Sequence, residues 1–403
     1  MRSVFAILAC CGAVVVAFPK PAFAQAPVAQ IGRDAPKVVA VDPATAQGLT
    51  SAGDDRPPPD IDVRAADFIS ENVRLKGQWF YAAENQGRKL PTVIIAPGWG
   101  GTAVMLHKDA LDLARAGFLV MLFDYRGWGD SEGRVMLTGQ KPGAGGDFTA
   151  QVRELRGYVD PSEQVEDWFN AISYAVTDPM VDAGRIGILG SDLAGGHVIA
   201  VAAHEPRIKA LVSQVSSVDT RPYKPYQLDP ANVIAQANAA ASRIATGQEP
   251  YPAERARIDG APLGAKVGAA VGAKVVRWAP VEEAIQVTTP ALFVLAQKEE
   301  LFANANNGQL ACERVMGPRK LVMIPDITHY GIYDVERKRA MMVTIDWFDR
   351  FLKPAGAPTR VPVNPKEPER GPCNPPPVPP KGEEDANGSG EGHRAQDASG
   401  RFN

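Results

Sequence analysis

Residues 185–197 run Arg185-Ile186-Gly187-Ile188-Leu189-Gly190-Ser191-Asp192-Leu193-Ala194-Gly195-Gly196-His197. An apolar, strand-like run passes through a tight turn into a helix start. Small residues flank the centre of that turn because a strained strand-to-helix connection leaves no room for β-carbons nearby. A side chain at the centre of such a turn is presented at the carboxyl end of its strand.

Working outward, the same alternation recurs. Pro91 to Ala96 is a buried strand that ends in Pro97-Gly98-Trp99-Gly100-Gly101, and Leu106 to Ala116 has helical spacing stopped by Gly117. Phe118 to Phe123, Lys209 to Val215, Ala291 to Ala296 and Lys320 to Ile324 read as further strands, and Val165 to Val176 and His197 to Ala203 as helices. Continuous apolar strands alternating with helices imply a mostly parallel sheet covered on both faces, an α/β fold. Reactive groups in such sheets gather at the carboxyl ends of the strands. Two other strand ends carry chemistry: Gln297-Lys298-Glu299-Glu300 follows one, and Ile327-Thr328-His329-Tyr330-Gly331 follows another.

Nucleophile, acid and histidine in that chain order resemble the α/β-hydrolase superfamily. The particular likeness is to its dienelactone-hydrolase-like and acetylxylan-esterase-like branch. It rests on Pro97 to Gly101, on Asp124-Tyr125-Arg126-Gly127-Trp128-Gly129-Asp130-Ser131-Glu132-Gly133, on the elbow, on the Glu299 turn and on Ile327 to Gly331. The resemblance implies an α/β-hydrolase fold over residues 63–353, with a small helical cap inserted at about 219–288. It further implies a catalytic set of Asp192, His329 and Glu299, with the backbone N–H groups of Trp99 and Leu193 as oxyanion hole.

The branch reads G-x-S-x-x-G-G-H at the elbow, and alignment on Gly190 and Gly195-Gly196-His197 puts Asp192 where its serine stands. A carboxylate attacking an ester carbonyl would form an anhydride, and the adduct would expel the carboxylate again. A carboxylate attacking a saturated carbon forms an ordinary ester that His-activated water can hydrolyse. The leading expectation is therefore an alkyl-enzyme hydrolase resembling epoxide hydrolases. Tyr223, Tyr226 and Tyr251 of the cap are candidate acids for the departing oxygen. The H-G-x-P loop of those enzymes is absent, and Leu193 stands where dehalogenases carry tryptophan. Two alternatives stay open: an esterase, through Asp192 as general base or through Ser191, and a catalytically silent binding protein.

Lesser positions have simpler readings. His197 is expected to make a structural hydrogen bond at the helix start, and Asp124 and Asp130 to bond turn amides. Gly143 to Gly146 is not a phosphate loop, because no G-K-[ST] follows.

The ends and the composition set the context. Arg2, the apolar run Val4 to Phe18 and Ala22-Phe23-Ala24 form a signal-peptide pattern over 1–24, implying export to the periplasm or medium. The run is shorter than the ~20 residues of a membrane span. Residues 25–62 and the Pro-rich tail 354–403 lack apolar periodicity and read as flexible or extended. Only Cys312 and Cys373 follow the signal, and in an oxidising compartment they can pair. The 403-residue chain carries 43 Lys+Arg against 46 Asp+Glu, which argues against a nucleic-acid binder. Its partner is expected to be a small-molecule substrate. No C-x-x-C or clustered His/Cys spacing suggests a metal, and no cofactor is expected.

Overall fold

The computed structural model describes residues 57–140, 147–221 and 277–354, with Gly143, Cys373 and isolated positions between 235 and 275. Residues 1–24, expected to be a signal peptide, and Tyr223, Tyr226 and Tyr251, expected on a cap at about 219–288, lie outside the described residues.

Twelve strands are described: β1 Ile61–Ala65, β2 Phe68–Ser70, β3 Val73–Leu75, β4 Gly77–Ala82, β5 Leu90–Ala96, β6 Leu119–Phe123, β7 Val135–Leu137, β8 Val152–Glu154, β9 Val181–Ser191, β10 Ile208–Gln214, β11 Ala291–Ala296 and β12 Arg319–Ile324. Eight form the main sheet in the order β1-β4-β6-β5-β9-β10-β11-β12. From β6 to β12 neighbours pair in parallel, whereas β1 and β4 run antiparallel at one edge. The parallel strands are the apolar runs of the sequence: β5, β6 and β11 are buried at every position. The antiparallel edge was not foreseen, and β1 begins at Ile61, inside the stretch expected to be extended. Its five residues bury one end only, so the sequence offers almost no period to detect.

Five α-helices are described: α1 His107–Arg115, α2 Pro161–Ala175, α3 Leu193–His204, α4 Gly308–Arg314 and α5 Arg337–Leu352. The stripe Ala110, Leu113 and Ala114 of α1 packs with Ala340, Met341, Trp347 and Phe348 of α5 in one core layer. The opposite layer holds Trp168, Ala171 and Ile172 of α2, Val198, Ile199 and Val201 of α3, and Ala311 and Cys312 of α4. Helix α2 starts cleanly because Asp160 accepts hydrogen bonds from the N–H groups of Ser162 (3.1 Å) and Glu163 (3.4 Å), with Pro161 in the first turn. Cys312 and Cys373 form a disulfide with Cα atoms 5.7 Å apart, which ties a point of the tail to α4.

The strand order places the chemistry. The chain goes from β5 outward to β6, then returns across β5 to β9, so the order reverses there. Ligand crevices form outside the carboxyl ends of strands at such a reversal. The loop leaving β5 therefore lies beside the turns leaving β6 and β9.

Candidate active site

Asp192 sits at the apex between β9 and α3 with φ 56° and ψ −124°, a conformation that costs a non-glycine residue free energy. The surrounding glycines are required by contact. A β-carbon on Gly190 would lie 2.1 Å from the Ala194 carbonyl oxygen, and one on Gly196 would lie 2.4 Å from the Ser217 carbonyl oxygen. Backbone bonds fix the apex: Asp192 N–H donates to Gln214 O, and Asp192 O accepts from the N–H groups of Gly195 and Ser217, each at 3.0 Å.

The Asp192 side chain, 8 % exposed, turns toward the loop after β5. Its Oδ2 accepts from Trp99 N–H at 2.8 Å, and the Leu193 N–H also holds the carboxylate. Gly98 permits this approach, since a β-carbon there would meet Asp192 Oδ2 at 2.8 Å. Ser191 has other partners, among them Tyr333, whose ring stands beside His329. Ser191 Oγ donates to Gln214 Oε1 at 2.9 Å, and Gln214 Nε2 donates to Thr344 Oγ1 at 3.0 Å, so the serine is tied into the interior.

His329, 2 % exposed, lies after β12. Glu299, after β11, brings both carboxylate oxygens to 3.1 Å from His329 Nδ1. A carboxylate only accepts, so Nδ1 carries the proton and Nε2 is left with its lone pair. Glu299 is itself aimed by the Leu301 N–H, which donates to Oε1 at 3.0 Å. Glu300, its neighbour in sequence, takes a different part: its Oε2 accepts from the His329 backbone N–H at 2.7 Å. Phe302, Tyr330 and Tyr333 frame the imidazole, with ring centroids 5.5, 5.2 and 5.9 Å away.

Electrostatics couple the groups. Burial pushes the Asp192 carboxyl above the ordinary value of 3.8; the His329 charge and the Trp99 and Leu193 N–H groups oppose this without cancelling it. Burial pulls His329 down, but the Glu299 hydrogen bond and the charges of Asp192, Glu299 and Glu300 outweigh it, and its pKa rises above 6.5. The two side chains interact through charge; no hydrogen bond between them is formed.

The structure thus brings Asp192, His329, Glu299, Trp99 and Leu193 together at adjoining strand ends. His197 stands apart. Trp168 Nε1–H donates to Tyr125 Oη at 2.8 Å, and Tyr125 in turn donates to His197 Nδ1 at 3.0 Å, behind the elbow. Burial lowers this imidazole to about 3, so it is neutral and structural. Glu300 competes with Glu299 for the acid role in the sequence, and the structure gives it the His329 backbone N–H instead; Gly98 was read only as part of the loop after β5. The adjacency of Glu300 to Glu299 was a signal, but only the fold separates the partners of the two carboxylates. Among the described residues no cluster of His, Cys, Asp or Glu is arranged to hold a metal ion.

Residues 71–286 match the X-Pro dipeptidyl-peptidase (S15) family, more than half of the 403 residues, and the chain belongs to that family of hydrolases on the α/β-hydrolase fold. An uncharacterized 31.7 kDa protein of the traX-finO intergenic region of Escherichia coli is 26% identical over 284 residues, covering 66% of this chain and 92% of that one. Two solved structures share the fold. A hypothetical protein PA2218 from Pseudomonas aeruginosa has a TM-score of 0.59 at 16% identity, over 74% of this chain and 96% of its own. The acetyl xylan esterase from Paenibacillus sp. R4 has a TM-score of 0.52 at 17% identity, over 77% and 93%.

Proposed function

We propose that the protein is an ester hydrolase of small organic substrates, with Asp192, His329 and Glu299 as its catalytic set. The observation that carries this reading is the clamp on the imidazole. Both Glu299 oxygens on Nδ1 leave Nε2 as a base for water. The hydrolase family and the esterase that shares the fold favour carbonyl chemistry over the opening of an epoxide.

In this mechanism His329 Nε2 takes a proton from water as the water oxygen bonds to the ester carbonyl carbon. The Trp99 and Leu193 N–H groups receive the oxyanion, the substrate carbonyl replacing Asp192 Oδ2 there. Asp192 forms no acyl-enzyme, because that adduct would be an anhydride. Its negative charge instead stabilises the imidazolium while the proton resides on it. Collapse of the adduct breaks the C–O bond, the imidazolium returns the proton to the leaving alkoxide, and acid and alcohol depart.

One observation favours a second reading. Asp192 Oδ2 already occupies the Trp99 N–H, where the carbonyl oxygen of an aspartyl ester would sit. In that scheme Oδ1 attacks a saturated carbon, the C–O bond of an epoxide opens with a proton from an acid, and His329-activated water hydrolyses the aspartyl ester. The candidate acids Tyr223, Tyr226 and Tyr251 lie outside the described residues. A panel of p-nitrophenyl esters and styrene-type epoxides, followed by single turnover in H₂¹⁸O, separates the two. Label confined to the product acid supports direct hydrolysis; label in the Asp192 carboxylate supports the aspartyl ester. Turnover of neither substrate class leaves the binding-protein alternative.

Export belongs to the same proposal. It is supported by the pattern at Arg2, Val4 to Phe18 and Ala22 to Ala24, and by the Cys312–Cys373 bond, since disulfides persist in oxidising compartments. Mass spectrometry of the secreted protein is expected to find Gln25 at its amino terminus; retention of Met1 on an intracellular product refutes it.

A further inference from the structure

We propose that Asp124 is a positioning residue of this site: its carboxylate ties the exit of the loop after β5 to the turn at 124–133, and so holds the Trp99 N–H in place. The proposal rests on the reading of Trp99 as an oxyanion donor.

Asp124 directly follows β6, whose parallel pairing with β5 sets the two strand ends side by side. Its Oδ1 accepts from Ala103 N–H at 2.6 Å, four residues beyond Trp99, and its Oδ2 accepts from Asp130 N–H at 3.2 Å. The residue has little freedom to move. Its own N–H donates to Lys76 O at 2.9 Å, and its carbonyl accepts from Ser131 Oγ at 2.7 Å. Gly129, at φ 49°, lets the turn close on the carboxylate; a β-carbon there would lie 2.1 Å from Oδ2. Arg156 locks the turn from outside, donating to Gly129 O at 2.6 Å and Ser131 O at 2.7 Å. The loop after β5 is therefore pinned at the strand, at Trp99 by Asp192, and at Ala103 by Asp124.

This anchor is sensitive to acid. Burial raises Asp124 from 3.8 to about 6; the Ala103 and Asp130 N–H groups and Arg156 pull it down, and the Asp130 charge pushes it up. Above about 6 both N–H groups meet a carboxylate. Below that value protonation removes the charge that strengthens those bonds. The stability linkage runs the other way. The folded form binds this proton more tightly than the unfolded chain, so the group's contribution to stability improves as pH falls from about 6 toward 3.8. A purely structural residue would not cost activity while sparing the fold.

The test uses full-length protein labelled with ¹⁵N-tryptophan, six residues in all, with the Trp99 amide assigned through Trp99→Phe. In the wild type that amide is expected to shift with a midpoint near pH 6. In Asp124→Asn the step disappears, the melting temperature holds, and kcat for ester cleavage falls roughly tenfold or more at unchanged KM, the scale of a misplaced catalytic group. Gly129→Ala, which crowds the same carboxylate, should displace the same signal. A step that survives in Asp124→Asn, or no step in the wild type, overturns the proposal. A step lost with kcat unchanged overturns the positioning role and the oxyanion reading of Trp99. Ester cleavage by the wild type tests the hydrolase assignment separately.

Discussion

Two glycine-rich turns flank the loop after β5, one leaving β6 and the other leaving β9, and each presses a buried carboxylate against that loop's amides. Asp124 commits both oxygens to N–H groups, and the charges acting on it are Asp130 and Arg156. Asp192 commits Oδ2 to Trp99, stands at positive φ, and feels an imidazole. The hold is the same; the backbone strain and the histidine occur on one side only. Strain maintained by surrounding structure is a mark of functional positions. The comparison separates a carboxylate bonded only to turn and loop amides from one set beside an imidazole.

The largest expected effect comes from removing the carboxylate that faces the imidazole. Asp192→Ala should lower kcat/KM by roughly 10²- to 10³-fold through loss of the charge that stabilises the imidazolium, and by roughly 10⁴-fold or more if the aspartyl ester forms, with no fall in melting temperature. Retention of activity in steady-state assays would erase the distinction between the two turns. Glu299→Gln ranks next, at roughly 10²- to 10³-fold, because the imidazole loses the partner that fixes its tautomer. The wild-type acid limb of kcat/KM should lie above pH 6.5, since a base must be neutral to work and His329 is raised. In Glu299→Gln that limb should move to lower pH. Gly98→Ala, whose β-carbon would lie 2.8 Å from Asp192 Oδ2 and 2.9 Å from Ser191 O, should cost roughly 10- to 100-fold by displacing the loop that carries the Trp99 N–H from the elbow. The smallest change is expected for Ser191→Ala, within about threefold, because that hydroxyl is engaged with Gln214. A large loss there would make serine the working residue and reduce Asp192 to a second anchor.

Much of this arrangement was legible in the sequence because β5, β6 and β11 are buried at every position and read as unbroken apolar runs. The elbow announced itself through Gly190, Gly195 and Gly196, each packed against a neighbouring segment. Glu299 and His329 were singled out by their positions after two strands, and the structure sets Glu299 Oε1 3.1 Å from His329 Nδ1. The antiparallel β1 and β4 stayed hidden: β1 is a short edge strand with partly exposed residues, and the burial of β4 does not alternate, so neither carries a clear period. Asp124 was read as a turn former, which it is. Its second bond, to Ala103, joins residues 21 apart and depends on β5 and β6 lying side by side. The expected epoxide chemistry followed from one residue, Asp192, and the family matched across 71–286, that of X-Pro dipeptidyl-peptidases, does not support it.

The bond between Cys312 and Cys373 spans 61 positions. A protease that cuts once between them yields two polypeptides still travelling as one on a non-reducing gel, and thiol treatment alone releases the far piece. Nicking in that interval therefore leaves the distal portion attached to α4.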